Sequence, residues 1–297
     1  MDLSRLHGVT PILYAFFDAE GAPARAPIVA QVEAAIRHHV HGVAVLGIAT
    51  ETNKLDVAER RTIMEWTAEA VGRRVPLAVT VAEPSVHGQV AFVRAARDAG
   101  ADWVILQPPP VSGLAEVEYL RFFGAVADAS PLPVAIQNAA QFLGIGLSNA
   151  GLATLNRNHP NVCLLKGEAP AAAVARLIED TDGVFRVFNG RGGLELPDCL
   201  RAGCAGVIPA TECFDVQVAV YEAMRAGRED EAERRYREML PLVTFMMSSI
   251  DTFVCYGKRI VARRLGLGEV HDRAPAQRPS PFGLAMMERF LAALPAL

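Results

Sequence analysis

What this 297-residue chain lacks narrows its function before any motif is read. It has no excess of basic residues: 29 Lys plus Arg stand against 33 Asp plus Glu, a net charge of −4. A protein built to neutralise phosphates needs the opposite balance, so nucleic acid is not an expected partner. No uncharged apolar stretch reaches the roughly 18–20 residues of a membrane span; the longest, 240–250, is interrupted by Pro241 and Ser248. No apolar segment follows the first basic residue, so no signal peptide is expected and a cytoplasmic location is. The five cysteines are odd in number and include no Cys-x-x-Cys pair, which argues against a disulfide framework or a structural zinc site and for reduced, mostly buried thiols. Low-complexity linkers and short repeats are absent. With 51 % hydrophobic residues, the chain buries enough apolar surface to fold as one or two domains.

What is present is a rhythm. Short, β-branched, continuously apolar runs occupy 8–16, 42–47, 76–81, 102–107, 133–137, 162–166, 184–188 and 206–209, with starts 22 to 34 residues apart. Continuous rather than alternating hydrophobicity marks strands buried on both faces of a parallel sheet, and the spacing fits one β-loop-α unit. The segments 56–72, 85–100 and 148–158 read as helices, the first with Val57, Ile63, Met64 and Ala68 near one face, the second stopped by Gly100, the third capped by Ser148. Eight such units predict an α/β fold, a (β/α)8 TIM barrel. An open doubly wound sheet is the competitor, but no Gly-x-Gly-x-x-Gly loop follows the first strand. The barrel core is assigned to 1–212. The last barrel helix and a C-terminal helical extension, with helices at 214–226, 230–245, 249–265 and 282–294, fill 213–297.

A barrel carries its site at the C-terminal ends of its strands. Those ends hold Tyr14 and Phe16, the loop 47–51, Glu83, 107–110, Gln137 and Asn138, Lys166 to Glu168, 189–193 and 209–212. Lys166 closes the run Val-Cys-Leu-Leu-Lys. A lysine buried in a barrel is held toward its neutral form, and a neutral amine attacks a ketone to form a Schiff base; a strand-end lysine reaching solvent is the plain alternative. Glu168, two residues on, shares its face and can hold Lys166 or move a proton, or else simply begins a helix before Pro170. Trp66 and Trp103 read as core. His38, His39 and His41 cluster without a carboxylate or thiol beside them and read as solvated, so no metal is expected. The mixed charges of 228–237 read as a solvated helix face.

These residues in this order resemble the dihydrodipicolinate synthase / N-acetylneuraminate lyase family of Schiff-base barrels, over nearly the whole chain. Gly8-Val9-Thr10-Pro11 is similar to the family's first-strand opening, and Gly47-Ile48-Ala49-Thr50-Glu51 stands where its Gly-Thr-Thr-Gly-Glu loop lies. Lys166 matches the Schiff-base lysine, Asn189-Gly190 the strand-seven glycine loop, and Gly203-x-x-Gly206-Val207-Ile208 the Gly-x-x-Gly-x-Ile before strand eight. There are departures. The usual Tyr-Asn-x-Pro of strand five is Gln137-Asn138-Ala139-Ala140, the loop's Thr/Ser pair is Ile48 and Ala49, and the tyrosines after strand four are replaced by Pro108, Pro109 and Pro110. The arginine that dihydrodipicolinate synthases carry after strand five is Phe142. Without that arginine and the tyrosines, synthase activity is not expected.

The branch of L-2-keto-3-deoxyarabonate dehydratases is more similar, with Gln at the strand-five position and a Lys-x-Glu like Lys166-Gly167-Glu168. The resemblance then implies a Schiff-base carbon–oxygen lyase acting on a 2-keto-3-deoxy sugar acid, with Lys166 and Glu168 catalytic. Substrate contacts fall to Ala49 and Thr50 for the carboxylate, Gln137, Asn138, Gly190 and Arg191, with Thr211, and Glu212 after it, weaker candidates. Glu51 fits the motif as a scaffold residue. A pyruvate-releasing class I aldolase and a silent keto-acid-binding barrel are the alternatives. No cofactor is expected. The resemblance implies a homo-oligomer, a tetramer or dimer, for which Met239, Leu242, Phe245 and Met246 offer apolar surface.

Overall fold

The computed structural model describes residues 3–297. Eight parallel strands are found among them: β1 (Gly8–Val9), β2 (Val43–Val45), β3 (Leu77–Val81), β4 (Trp103–Leu106), β5 (Val134–Asn138), β6 (Val162–Gly167), β7 (Arg186–Asn189) and β8 (Gly206–Val207). From β2 to β8 each neighbours the next in sequence, and β1 pairs with β8. The circle closes just past β1. The Leu13 N–H donates to the Ala44 carbonyl at 3.0 Å and the Ala44 N–H to the Pro11 carbonyl at 2.9 Å, tying the first segment to β2. This is a TIM barrel followed by C-terminal helices.

The expected first strand, 8–16, shrinks to two residues because Pro11 has no N–H to give the ladder, and Pro209 shortens β8 in the same way. Gly8 and Gly206 let these two strands meet: a Cβ on Gly206 would lie 2.0 Å from the Gly8 carbonyl oxygen. The run at 184–188 starts late. Val184 is exposed, and regular pairing begins at Arg186.

The helix caps follow the local chemistry. Asp56 and Glu59 form a reciprocal capping box at the start of Val57–Val71, and Ser85, Ser148 and Ser249 each accept an N–H at the start of theirs. In Val57–Val71 the buried face is Ile63, Met64, Thr67 and Val71; Val57, expected on it, sits in the first turn and is exposed. Trp103 is fully buried, while Trp66 is half-buried against the core. His41 takes a structural position: its Nδ1 accepts the Val9 N–H at 3.2 Å, and its Nε2 faces Glu222 at 2.8 Å.

Beyond β8 run the helices Phe214–Arg225, Glu229–Met246, Ile250–Leu265 and Pro281–Leu291. The apolar stripe assigned above to contacts between copies is turned inward. Met239, Leu242 and Met246 are fully buried within the chain, because the helix Glu229–Met246 lays that face on Phe214–Arg225. Exposed large apolar side chains stand elsewhere, at Val111, Leu114 and Val117 around the loop after β4 and at Phe282. Among the described residues no helix is long and apolar enough to cross a membrane.

Candidate active site

Lys166 is the fifth of six residues of β6, and its side chain points into the barrel mouth, 3 % exposed. Its Nζ lies 2.8 Å from Oε1 of Glu168, which is also buried. The same Oε1 accepts the Nε2 amide of Gln137 at 2.8 Å. Gln137 stands level with Lys166 because one extra residue, Cys163, enters β6 opposite the step from Val134 to Ala135. In regular register Gln137 would lie beside Leu165 and face away; the bulge turns the amide and the amine to the same side.

The polar chain continues outward. The Gln107 Nε2 donates to Gln137 Oε1 at 2.9 Å, and the Gln89 Nε2 donates to the Gln107 carbonyl at 2.9 Å. Gln107 thereby fixes which end of the Gln137 amide meets Glu168. Its place at a strand end was visible in the sequence; its pairing across two strands was not.

The Lys166-Gly167-Glu168 segment is clamped from both sides. Asn189 donates its amide to the Gly167 and Ala169 carbonyls at 2.9 and 3.0 Å, and Gln141 donates to the Glu168 carbonyl at 3.1 Å. Gly190 serves as a floor: a Cβ there would come within 2.6 Å of Glu168 Cγ. Arg191, at a left-handed φ of 52°, turns over the site and pairs with Glu195.

Lys166, Glu168, Ala49 and Arg191 line one cavity, with about 350 Å3 of atom-free space open toward solvent. Of the other expected contact residues, Gln137 and Gly190 stand against Glu168 rather than in the lining, and Thr50, Asn138 and Thr211 are turned elsewhere. The Thr50 hydroxyl donates to the Leu13 carbonyl at 2.7 Å and accepts the Leu46 N–H at 3.0 Å, so it holds the strand-two loop in place. Both ends of the Asn138 amide bond to the backbone of Leu147. The Thr211 hydroxyl donates to Gln31 at 2.6 Å. All three side chains are engaged with the scaffold; Thr50 and Thr211 are fully buried, where only a hydrogen-bonded polar group is tolerated, and Asn138 is half-buried. Glu83 likewise pairs with Arg60 at 2.9 Å, away from the cavity.

Sequence reasoning missed the roof. Met247, just past the end of Glu229–Met246, and Ile250 and Phe253, from Ile250–Leu265, close the cavity over Lys166. It also missed Lys258, fully buried in Ile250–Leu265, which pairs with Glu51; Lys54 holds the other oxygen of Glu51 at 2.6 Å. One signal was available: the chain has three lysines against 26 arginines, and all three (Lys54, Lys166 and Lys258) contact a carboxylate in or beside this site.

Behind the roof, Tyr14 packs its ring on Phe253 and donates its hydroxyl to Oε2 of Glu212 at 3.1 Å. Burial, with Glu212 beside it, pushes the Tyr14 phenol well above its ordinary value, and Lys258 is pulled down by burial against the opposing pull of Glu51. Burial pushes the Glu212 carboxyl from its ordinary 4.5 up to about 7, and its Oε1 has no partner among the described residues. The folded protein therefore holds a proton that the unfolded chain releases between pH 4.5 and about 7. Stability contributed by this group falls as pH rises through that window and is level above it. Glu212→Gln removes this fall: urea midpoints taken at about pH 5 and about pH 8 should show the variant gaining on the parent at the higher pH. An equal gap at both would mean Glu212 is ionised throughout.

Among the described residues no three His, Cys, Asp or Glu side chains stand in metal-ligating range. The sequence profile of the dihydrodipicolinate synthetase family matches residues 5–278. The chain is 31 % identical to a 4-hydroxy-tetrahydrodipicolinate synthase of Methanosphaerula palustris, over 68 % of this chain and 70 % of that one. It is 29 % identical to the L-2-keto-3-deoxyarabonate dehydratase of Azospirillum brasilense, over 80 % and 79 %. In structure it is similar to YagE, a prophage protein of the dihydrodipicolinic acid synthase family from Escherichia coli K12 solved in complex with pyruvate, with a TM-score of 0.89 at 24 % identity over 98 % and 99 % of the two chains.

Proposed function

This chain belongs to the dihydrodipicolinate synthetase family of lyases and aldolases, and from that premise we propose that it is a Schiff-base-forming lyase of a 2-keto acid, with dehydration as its reaction. The observation that carries the reading is a buried amine, Lys166, 2.8 Å from a buried carboxylate, Glu168, at the floor of an open cavity. The first N–H groups of the turn Ile48–Thr50 lack intrahelical acceptors, and that of Ala49, a cavity-lining residue, is the proposed donor to the substrate carboxylate. Glu168 takes a proton from Lys166, and the freed amine attacks C2 of the ketone. The carbonyl oxygen leaves as water, and a protonated imine remains. Glu168 then removes a proton from C3, the C–H electrons move onto the imine nitrogen, and the resulting enamine expels the C4 hydroxyl, which leaves as water with the proton Glu168 took. Hydrolysis of the imine restores Lys166.

Gln137 supports this reading. Where the family usually has a titrating tyrosine, the chain has an amide that can only orient Glu168, so a single carboxylate carries the proton steps. Proton removal from C3 leads to dehydration; removal from the C4 hydroxyl instead would break C3–C4 and release pyruvate. Product analysis separates the two. The dehydratase of Azospirillum brasilense is named for a 2-keto-3-deoxy sugar acid, and the part of such a molecule put forward for this chain is its C1 to C4 end, a 2-keto acid with a hydroxyl on C4. Lys166, Glu168 and Gln137 address only C2 to C4 of such a molecule. Five free cysteines suit a reducing, cytoplasmic setting, and assembly into a homo-oligomer follows from the family.

Glu168→Gln is expected to lower turnover by roughly 10²–10⁴-fold, the usual contribution of a positioned acid–base group. Borohydride trapping of pyruvate at Lys166 should persist, because the amine that condenses with the ketone is retained. Initial rates and intact-protein mass check both, and undiminished turnover would remove Glu168 from the mechanism.

A further inference from the structure

The cavity around Lys166 is apolar beyond the reacting atoms. Its only polar side chains among the described residues are Lys166, Glu168 and Arg191, and each is ion-paired, the first two with each other and Arg191 with Glu195. Its apolar lining includes Phe142, Met247, Ile250 and Phe253, together with Ile48 from the strand-two loop. The nearby groups suited to binding sugar hydroxyls are engaged within the fold: Thr50 with Leu13, Asn138 with Leu147, Asn189 with Gly167 and Ala169, Thr211 with Gln31.

A polyhydroxylated tail placed here would lose water from its hydroxyls and gain no partner, whereas a hydrocarbon tail would gain burial. We infer that the substrate is a 2-keto acid whose substituent beyond C4 is apolar, an aryl or branched alkyl group, rather than a sugar acid. This rests on the Schiff-base reading above and changes only the tail of the substrate. Ile48 and Phe142 then act as specificity residues: each puts a hydrocarbon where a hydroxyl or guanidinium would recognise a polar tail.

The test is borohydride trapping on the intact protein with three probes: pyruvate, 2-oxo-4-phenylbutanoate and 2-keto-3-deoxyarabonate. In each case Lys166 Nζ bonds to C2, the ketone oxygen leaves as water, borohydride delivers hydride to C2 and solvent protonates nitrogen. The readout is the concentration giving half-maximal adduct. The phenyl acid should half-saturate at about 100-fold lower concentration than the sugar acid, the discrimination expected from an apolar pocket. Equal concentrations, or a lower one for the sugar acid, would overturn the inference while pyruvate trapping leaves the Schiff-base reading standing. No adduct with any probe would sink that reading and this one with it. Phe142→Ser, at a half-buried rim position, should cut the preference for the phenyl acid over pyruvate about tenfold. If that variant does not fold, Ile48→Thr makes the same measurement from the strand-two loop. An unchanged preference in a folded variant would also count against the proposal.

Discussion

Lys166→Ala is expected to abolish the borohydride-trapped adduct and to reduce turnover by roughly 10⁴-fold or more, as removal of a covalent nucleophile does. The reason is local. Among the described residues lining the cavity Lys166 supplies the one amine, and no neighbouring group can form an imine in its place. The same change leaves the Glu168 carboxylate buried without its cation, which costs about 3–5 kcal/mol when one member of a buried pair is removed. Lys166→Arg separates chemistry from folding. It keeps a cation beside Glu168 but cannot condense with a ketone. A folded arginine variant with no adduct would locate the chemistry at the amine. An adduct surviving in either variant would place the Schiff base elsewhere.

The second large effect lies at the strand-two loop and is one of stability. Lys258 is 0 % exposed and Glu51 2 % exposed, and they pair across more than two hundred residues of chain. Glu51→Gln removes the carboxylate paired with the Lys258 ammonium, leaving an uncharged amide, the Phe17 ring 4.9 Å away and the less direct charge of Asp272. A loss of about 3–5 kcal/mol is expected, a fall in Tm on the order of 10 °C. Lys258→Met should cost less, because Lys54 still holds Glu51 at 2.6 Å from a position nearer solvent. The double variant should be more stable than the sum of the single losses, since no charge is then buried alone. Denaturant unfolding of all four proteins checks the order. Single variants within about 1 kcal/mol of the parent would mean that the pair is solvated. Because Glu51 takes a left-handed φ of 54° and follows directly on Ala49 and Thr50, the Glu51 variant should also raise KM for a keto acid.

These two lysines show how unequally the site could be read. Lys166 was legible because it ends a continuously apolar run, and a strand-end position in a barrel is a position in the site. Glu168 followed from period two along the same strand. Lys258 sits in an amphipathic helix among arginines, where charge is ordinary, and only its burial against Glu51 gives it a role. Thr50, Asn138 and Thr211 err in the opposite direction. Strand-end position made them contact residues, yet a hydroxyl or amide one residue away from a cavity satisfies itself on the nearest backbone, and sequence does not say which way it turns. The tail stripe Met239, Leu242 and Met246 was correctly apolar and wrongly assigned a partner, because periodicity reports that a face is buried but not against what.

The sequence by itself determined the eight-fold alternation, the mild acidity without a basic surface, and the amine and carboxylate two residues apart. Each is set by contacts between near neighbours in the chain, where hydrophobic period and residue spacing act directly. Only the tertiary structure decided the rest. The bulge at Cys163 brings Gln137 level with Lys166, Gln107 fixes the Gln137 amide, and Phe142, Met247, Ile250 and Phe253 make an apolar roof from segments on either side of β6. Register and long-range packing depend on how whole elements meet, and a single residue of slip reverses which side chains face the site.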